Sequence, residues 1–106
     1  MAREYQREYP ERYIRISDES WRYDSASGRA FHSFKLRSMT TVVYDKIRVR
    51  LVYRAPDGKV RATREAGVPG VLKPGATREV SDLEVRGVPP DGESANVSVA
   101  GAESVR

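Results

Sequence analysis

The chain contains no cysteine. That excludes a disulfide framework, a thiolate zinc site and a redox dithiol. It leaves the compartment open, because many envelope proteins carry no disulfide either. There is one histidine, His32. Serine–histidine and cysteine–histidine devices need a base set beside a nucleophile, and no local signature of one is present. No His-x-x-x-His pair occurs, and Asp57-Gly58 and Asp91-Gly92 lack the oxygen-ligand series of a calcium loop. The glycines between 67 and 75 are not followed by Gly-Lys-Ser/Thr, so no phosphate loop is formed. No apolar run is long enough for a membrane-spanning helix. The first eight residues are charged throughout and lack an apolar signal region. The expectation is a cytosolic chain, or one whose signal or anchor lies outside this sequence.

What the chain does have is alternation. Ile47, Val49, Leu51 and Tyr53 alternate with Lys46, Arg48, Arg50 and Arg54. Successive side chains of a strand point to opposite faces, so this spacing gives one apolar and one basic face. Pro56-Asp57-Gly58 follows, with a preset φ at proline and a glycine free to take positive φ. A second alternating run begins at Lys59. Residues 45–65 are therefore predicted to form a β-hairpin with an apolar inner side, which the other strands must cover.

Residues 1–12 are very polar, with Tyr5 and Tyr9 at helical spacing and Pro10 interrupting. They are predicted to be a flexible or weakly helical arm. Residues 13–17 alternate briefly, 18–20 break the pattern, and Trp21 and Tyr23 resume it. A turn of small residues at 25–28 leads to a long strand over 29–38, with Ala30, His32, Phe34 and Leu36 on one face. Thr40, Thr41, Val42 and Val43 extend a strand or make a sheet-crossing bend. Pro69-Gly70 and Pro74-Gly75 exclude a helix interior or a central strand. A loop over an edge is expected across 66–75, pinned by Val68, Val71 or Leu72. The strand over 76–85 changes phase: Val80 has one parity, Leu83 and Val85 the other. A one-residue bulge near Ser81-Asp82 reconciles them. Turn residues fill 86–92. A small-residue strand with Val97 and Val99 inward occupies 95–101, and 102–106 are expected to be a loose tail.

A chain of 106 residues, 39% apolar and 32% charged, fits one folded domain with a modest core. Six or seven short strands between Gly and Pro turns predict an all-β protein, an antiparallel β-sandwich over 13–101 with a short polar N-terminal arm. The two Pro-Gly-rich crossings read as changes of sheet, which favours a sandwich over a small barrel.

Charge is uneven. Residues 1–64 hold fifteen basic and eight acidic side chains, and 65–106 hold four and seven. Lys46, Arg48, Arg50 and Arg54, joined by Arg61, form the strongest chemical feature, a basic sheet face suited to an acidic partner. The same charges would also be met by Glu79 or Glu84 on a neighbouring strand. Sheet platforms for single-stranded nucleic acid need aromatics on the charged face, and Tyr53 has the apolar parity. Nucleic acid is therefore an unlikely partner by this pattern.

The order of elements carries a resemblance. It runs Tyr-Asp-Lys-Ile-x-Val-x-Leu-x-Tyr over 44–53, the turn Asp57-Gly58, a short return strand, Leu-x-Pro-Gly at Leu72, Lys73, Pro74 and Gly75, then Ala-x-Val-x-Val over 95–99. This resembles the bacterial FxLyD-type domains and related immunoglobulin-like sandwiches of the cell envelope, over about residues 29–101. In those domains the strand before the hairpin reads Gly-x-Val-x-Asn; here it is Phe34-Lys35-Leu36-Arg37-Ser38. The resemblance implies an immunoglobulin-like sandwich, an envelope or periplasmic setting, and a non-catalytic module of a larger or tethered protein.

Together these readings lead to an expectation of no enzyme, no cofactor and no metal. The module is expected to contact a protein partner, an acidic one or a second copy of itself, through a strand edge or the basic face at Lys46, Arg48, Arg50, Arg54 and Arg61. The alternative is a small barrel that binds nucleic acid or another polyanion. His32 has inward parity and reads as a structural histidine. Asp82 and Glu84 share a strand face and read as solvated carboxylates.

Overall fold

The computed structural model describes residues 6, 8–90 and 92–105. Six strands run in chain order: β1 (Ile14–Asp24), β2 (Arg29–Ser38), β3 (Val43–Arg54), β4 (Val60–Val68), β5 (Thr77–Val85) and β6 (Ser94–Val105). They form two three-stranded sheets, ordered β1-β2-β5 and β4-β3-β6, and every pairing is antiparallel. The fold is a β-sandwich. Both Pro-Gly-rich segments cross between sheets, from β4 to β5 and from β5 to β6. The β-branched segment after β2 is also a sheet-crossing bend.

The core follows the alternation. From β3, Ile47, Val49, Leu51 and Tyr53 are fully buried, and from β2 so are Ala30, His32, Phe34 and Leu36. Ile14, Val68, Val80 and Val85 complete the layer from the outer strands. The hairpin turn closes as its residue types require. Gly58 takes φ 84 and its N–H donates to the Ala55 carbonyl at 2.8 Å, while the Asp57 carboxylate accepts from the Lys59 N–H at 2.9 Å. Of the three residues considered for pinning the crossing loop, Val68 and Leu72 are buried and Val71 is 45% exposed. Leu72 exchanges both backbone hydrogen bonds with Tyr44.

Among the described residues, three other than glycine have positive φ: Asp18 (53°), Lys46 (46°) and Asp82 (53°). Each sits at a register shift, against β2, β6 and β2 respectively. The bulge at Ser81-Asp82 is where the phase change placed it. The interruption at 18–20 is not a strand break. It is a bulge within one continuous β1, whose extra residue lets Ile14 and Ile16 below and Trp21 and Tyr23 above all face inward. The bulge at Lys46 does the same for Tyr44 and Ile47, which are both buried at opposite parity.

Other boundaries differ from expectation because long-range pairing extends them. β4 runs to Val68 rather than ending before Ala66, since Ala66, Gly67 and Val68 pair with Val49, Arg48 and Ile47. Residues 102–105 are not a tail: β6 continues to Val105, opposite Val43. Arg106 lies outside the described residues, as do Tyr5 and Asp91. The described residues of the arm pack on the domain. Gln6 and Glu8 are helical, a 3-10 turn follows at Pro10–Arg12, and Gln6 and Pro10 are buried. The Gln6 side-chain carbonyl accepts from the Thr41 N–H and hydroxyl, at 3.0 and 3.1 Å. The Gln6 backbone carbonyl accepts from the Tyr44 hydroxyl.

Leu51 lies at the centre of the inner face, so Leu51→Ala is expected to cost about 2–5 kcal/mol of unfolding free energy. Arg50→Gln, one residue away on the outer face, should leave the denaturation midpoint unchanged. Urea titration followed by tryptophan fluorescence reads both.

Candidate functional site

β3 is the central strand of its sheet, so its even-numbered side chains from Lys46 onward project from the middle of an outer face. Arg48, Arg50 and Lys46 are exposed there, and Arg54 is half-buried at the turn end. Arg61 is exposed on β4, next to Val60, which pairs with Arg54. The five basic residues named from sequence are thus on one sheet, but they are not equivalent. The Lys46 ammonium is 3.2 Å from the Glu103 carboxylate. Arg54 donates to the Asn96 side-chain oxygen at 3.0 Å. Among the described residues, the Arg48 and Arg50 side chains take no hydrogen bond or ion pair.

The floor around Arg48 is bare. Its neighbours across the strands are Gly67 on β4 and Gly101 on β6. A Cβ built at Gly101 would collide with the Arg48 guanidinium, so the side chain lies flat over that glycine. An open groove of about 520 Å³ adjoins it, lined by Lys46, Ile47, Arg48, Gly67, Val68, Pro69 and Glu103. A planar guanidinium beside an apolar wall and an ammonium suits a carboxylate attached to an apolar stem. Arg50 lies between Glu65 and Ser98.

The acids expected to neutralise this face do not reach it. β5 belongs to the other sheet, so Glu79 and Glu84 are not strand neighbours of β3. Glu84 pairs instead with Arg29 at 2.7 Å and Arg86 at 3.8 Å. The acids beside the basic face are Glu65 and Glu103. Gly67 and Glu103 were missed because they lay in a segment read as loop and in one read as tail. The signal for Gly67 was the alternation of Ala62, Arg64, Ala66 and Val68, which carries β4 past the glycine.

His32 is built into the core. Its ring stacks on Trp21 with centroids 5.6 Å apart and planes 5° from parallel. Its Nε2 is 2.7 Å from the Tyr53 hydroxyl across the sandwich. The pair satisfies one buried polar atom on each sheet. Burial lowers the His32 pKa to about 4 and raises that of Tyr53 to about 12, the latter opposed by the Arg64 charge. Both are therefore neutral near pH 7. Asp82 and Glu84 are exposed; Asp82 is 3.9 Å from Arg22, and its N–H donates to the Ser33 hydroxyl. No described helix is long and apolar enough to cross a membrane.

The histidine gives a pH signature. Its folded pKa, about 4, is below the ordinary imidazole value of 6.5. The fold therefore excludes a proton that the unfolded chain accepts. This contribution is fully present above pH 6.5 and is lost as pH falls from 6.5 through 4, on the order of 3 kcal/mol in all. His32→Phe should remove that part of the acid slope, and the His32 ring proton should titrate in the native protein with a midpoint near 4 by NMR. A midpoint near 6.5 would contradict the buried placement. Comparison with protein-family models, with curated proteins and with solved structures gives no match for this chain.

Proposed function

We infer that the chain is a non-catalytic binding module whose outer β4-β3-β6 face receives an acidic segment of a partner protein. The observation that carries this reading is the Arg48–Arg50 pair. Two guanidinium groups without ion-pair partners among the described residues stand on the central strand, one of them laid over a glycine beside an open groove. An exposed arginine without a partner is common, but a preset orientation over a bare floor lowers the ordering cost of binding. Arg48 would fork a carboxylate while Lys46, Val68 and Pro69 hold the stem.

The immunoglobulin-like reading is supported by strand order. If β1 to β6 are taken as strands A, B, C, C′, E and F, the orders A-B-E and C′-C-F are those of the immunoglobulin sandwich without its D and G strands. The resemblance to FxLyD-type domains adds a bacterial, envelope-tethered setting and a role as one part of a longer protein. The polyanion alternative rests on charge alone: Tyr53 faces the core, so this part of the basic face has no ring on which a base would stack.

A labelled oligo-glutamate peptide is expected to bind with an affinity that falls as salt rises. Charge reversal at both positions, R48E with R50E, should weaken it at least tenfold while leaving the circular dichroism spectrum and melting temperature in place. Fluorescence anisotropy reads the affinity. Binding unchanged in the doubly reversed protein would overturn the assignment. Equal salt-sensitive retention of single-stranded DNA would favour the polyanion alternative.

A further inference from the structure

The outer face of the β1-β2-β5 sheet carries a second arrangement of charge, on the opposite side of the sandwich from Arg48. Arg15 on β1 stands directly opposite Arg37 on β2, and Thr77 on β5 stands opposite Arg37 on its other side. All three are exposed. The register is regular on both ladders here, from Ile14 to Ser17 against β2 and from Phe34 to Arg37 against β5. Ile14, Leu36 and Ser38, chain neighbours of the two arginines, are buried. Alternation therefore sends both arginine side chains outward, while the core holds their backbone in place.

The spacing of the row follows from hydrogen bonds at its end. The Met39 N–H donates to the Tyr13 carbonyl at 2.8 Å, and the Ser38 N–H to the Ala76 carbonyl at 3.0 Å. Hydrogen-bonded and non-bonded pairs alternate along an antiparallel ladder. Arg15–Arg37 lies two residues from the first bond, so it is of the hydrogen-bonded type, with Cα atoms about 5.5 Å apart. Arg37–Thr77 lies one residue from the second, so it is of the non-bonded type, about 4.5 Å apart.

Like charges directly opposite in a sheet are destabilising. Other basic residues of this face are compensated. Lys35 is 3.2 Å from Asp18, Arg29 is 2.7 Å from Glu84, and Arg22 lies over the Phe31 ring. Among the described residues, the Arg15 and Arg37 side chains take no hydrogen bond or ion pair. Glu79 on β5 is diagonal to Arg37 and pairs with neither arginine.

Two uncompensated guanidinium groups held side by side bring two donor forks within reach of one anion. A carboxylate is satisfied by a single fork. A phosphate monoester carries about two negative charges near pH 7 and offers three acceptor oxygens, which matches the pair. Thr77 adds a hydroxyl beside Arg37. Past the arginines the ladder continues with Tyr13 and Met39, and Met39 is 50% exposed. The organic part of an ester would find an apolar surface there, next to the charge. On these grounds we propose that the Arg15–Arg37 row binds a phosphate monoester, with Thr77 as a further donor and Met39 against the apolar group. The site lies on the other sheet from the β4-β3-β6 face and does not depend on the reading of that face.

Titration of the full chain with phenyl phosphate, at constant ionic strength balanced by chloride, tests it through amide shifts in two-dimensional NMR. The shifts should saturate and centre on Arg15, Arg37 and Thr77. Arg15→Gln and Arg37→Gln should each weaken binding about tenfold. Together they should abolish it with an unchanged circular dichroism spectrum. Glu79→Gln should tighten it by removing a carboxylate beside the row. Inorganic phosphate should bind more weakly, and Met39→Ser should bring phenyl phosphate down to that level. Arg37→Glu replaces a repulsion with a cross-strand ion pair. It should raise the melting temperature while abolishing binding, which keeps the test open if the glutamine pair fails to fold. Vesicles carrying phosphatidic acid separate the sources: retention that depends on the two arginines names a lipid headgroup, and any other result a soluble ester. Shifts that chloride alone reproduces, shifts that survive the double substitution, or equal affinity for inorganic phosphate would overturn the site. Oligo-glutamate binding should persist in the Arg15→Gln, Arg37→Gln protein, and phenyl phosphate binding in R48E with R50E, so each site can fail alone.

Discussion

β3 is hydrogen-bonded on both sides and faces the other sheet with every second side chain, so it has no solvent-facing edge and only one free face. That position requires four consecutive inward residues to fit a closed layer. Ile47, Val49, Leu51 and Tyr53 meet it with full burial. Hydrophobic transfer is proportional to area removed from water, and these four side chains are removed from it completely. The remaining strands are arranged by what they must cover. β2 places Phe34, Leu36 and His32 over the same layer, and β4 and β6 widen it with small residues. A polar pair at the middle of the layer ties the two sheets together. His32 and Tyr53 come from opposite sheets, and each satisfies the other's buried atom at 2.7 Å. An apolar pair would slide at little cost, whereas this pair loses its hydrogen bond on any shift.

The three bulges with a positive-φ residue do the same work. In each of these strands the apolar residues on the two sides of the bulge have opposite parity, so uninterrupted alternation would turn one set outward. Inserting one residue at Asp18, Lys46 and Asp82 resets the parity so that apolar residues on both sides of the bulge face the core. Aspartate tolerates the left-handed region because its short side chain bonds locally. Lys46 has no such help. It is held there by the apolar residues on either side, Tyr44 and Ile47, which are both fully buried.

How far this could be read from sequence depended on whether a feature was local. β2 matched its expected span because alternation runs unbroken from Arg29 to Ser38. The bulge at Asp82 was legible because Val80, Leu83 and Val85 conflict within six residues. Asp18 was misread as a break because Asp, Glu and Ser in succession look like a turn, and nothing nearby reports that Lys35 and Ser33 hold both flanks in one ladder. The docking of Gln6 depends on Thr41 and Tyr44, more than thirty residues away, and leaves no trace in the arm itself. The same limit governed the basic face. Its members were visible in the alternation of β3, but which of them keep a free charge depended on partners in other segments. Glu103 takes Lys46 and Asn96 takes Arg54. Glu84, placed beside them on the assumption of one neighbouring strand, lies in the other sheet.

The separation of faces on β3 has a consequence for how this surface can change. Beyond the bulge at Lys46, even-numbered positions face outward and odd-numbered ones meet the core, so a charge can be exchanged at 48 or 50 without disturbing Val49 or Leu51. Gly101 is the exception. It is buried beneath the Arg48 guanidinium, and any side chain there would lift the arginine from the sheet while leaving the core intact. The orientation of Arg48 is therefore set by a residue of β6 that makes no core contact of its own, and the bulge between Val99 and Gly101 is what brings that glycine opposite. A device that keeps the sheet in register thereby also positions the side chain most exposed to a partner.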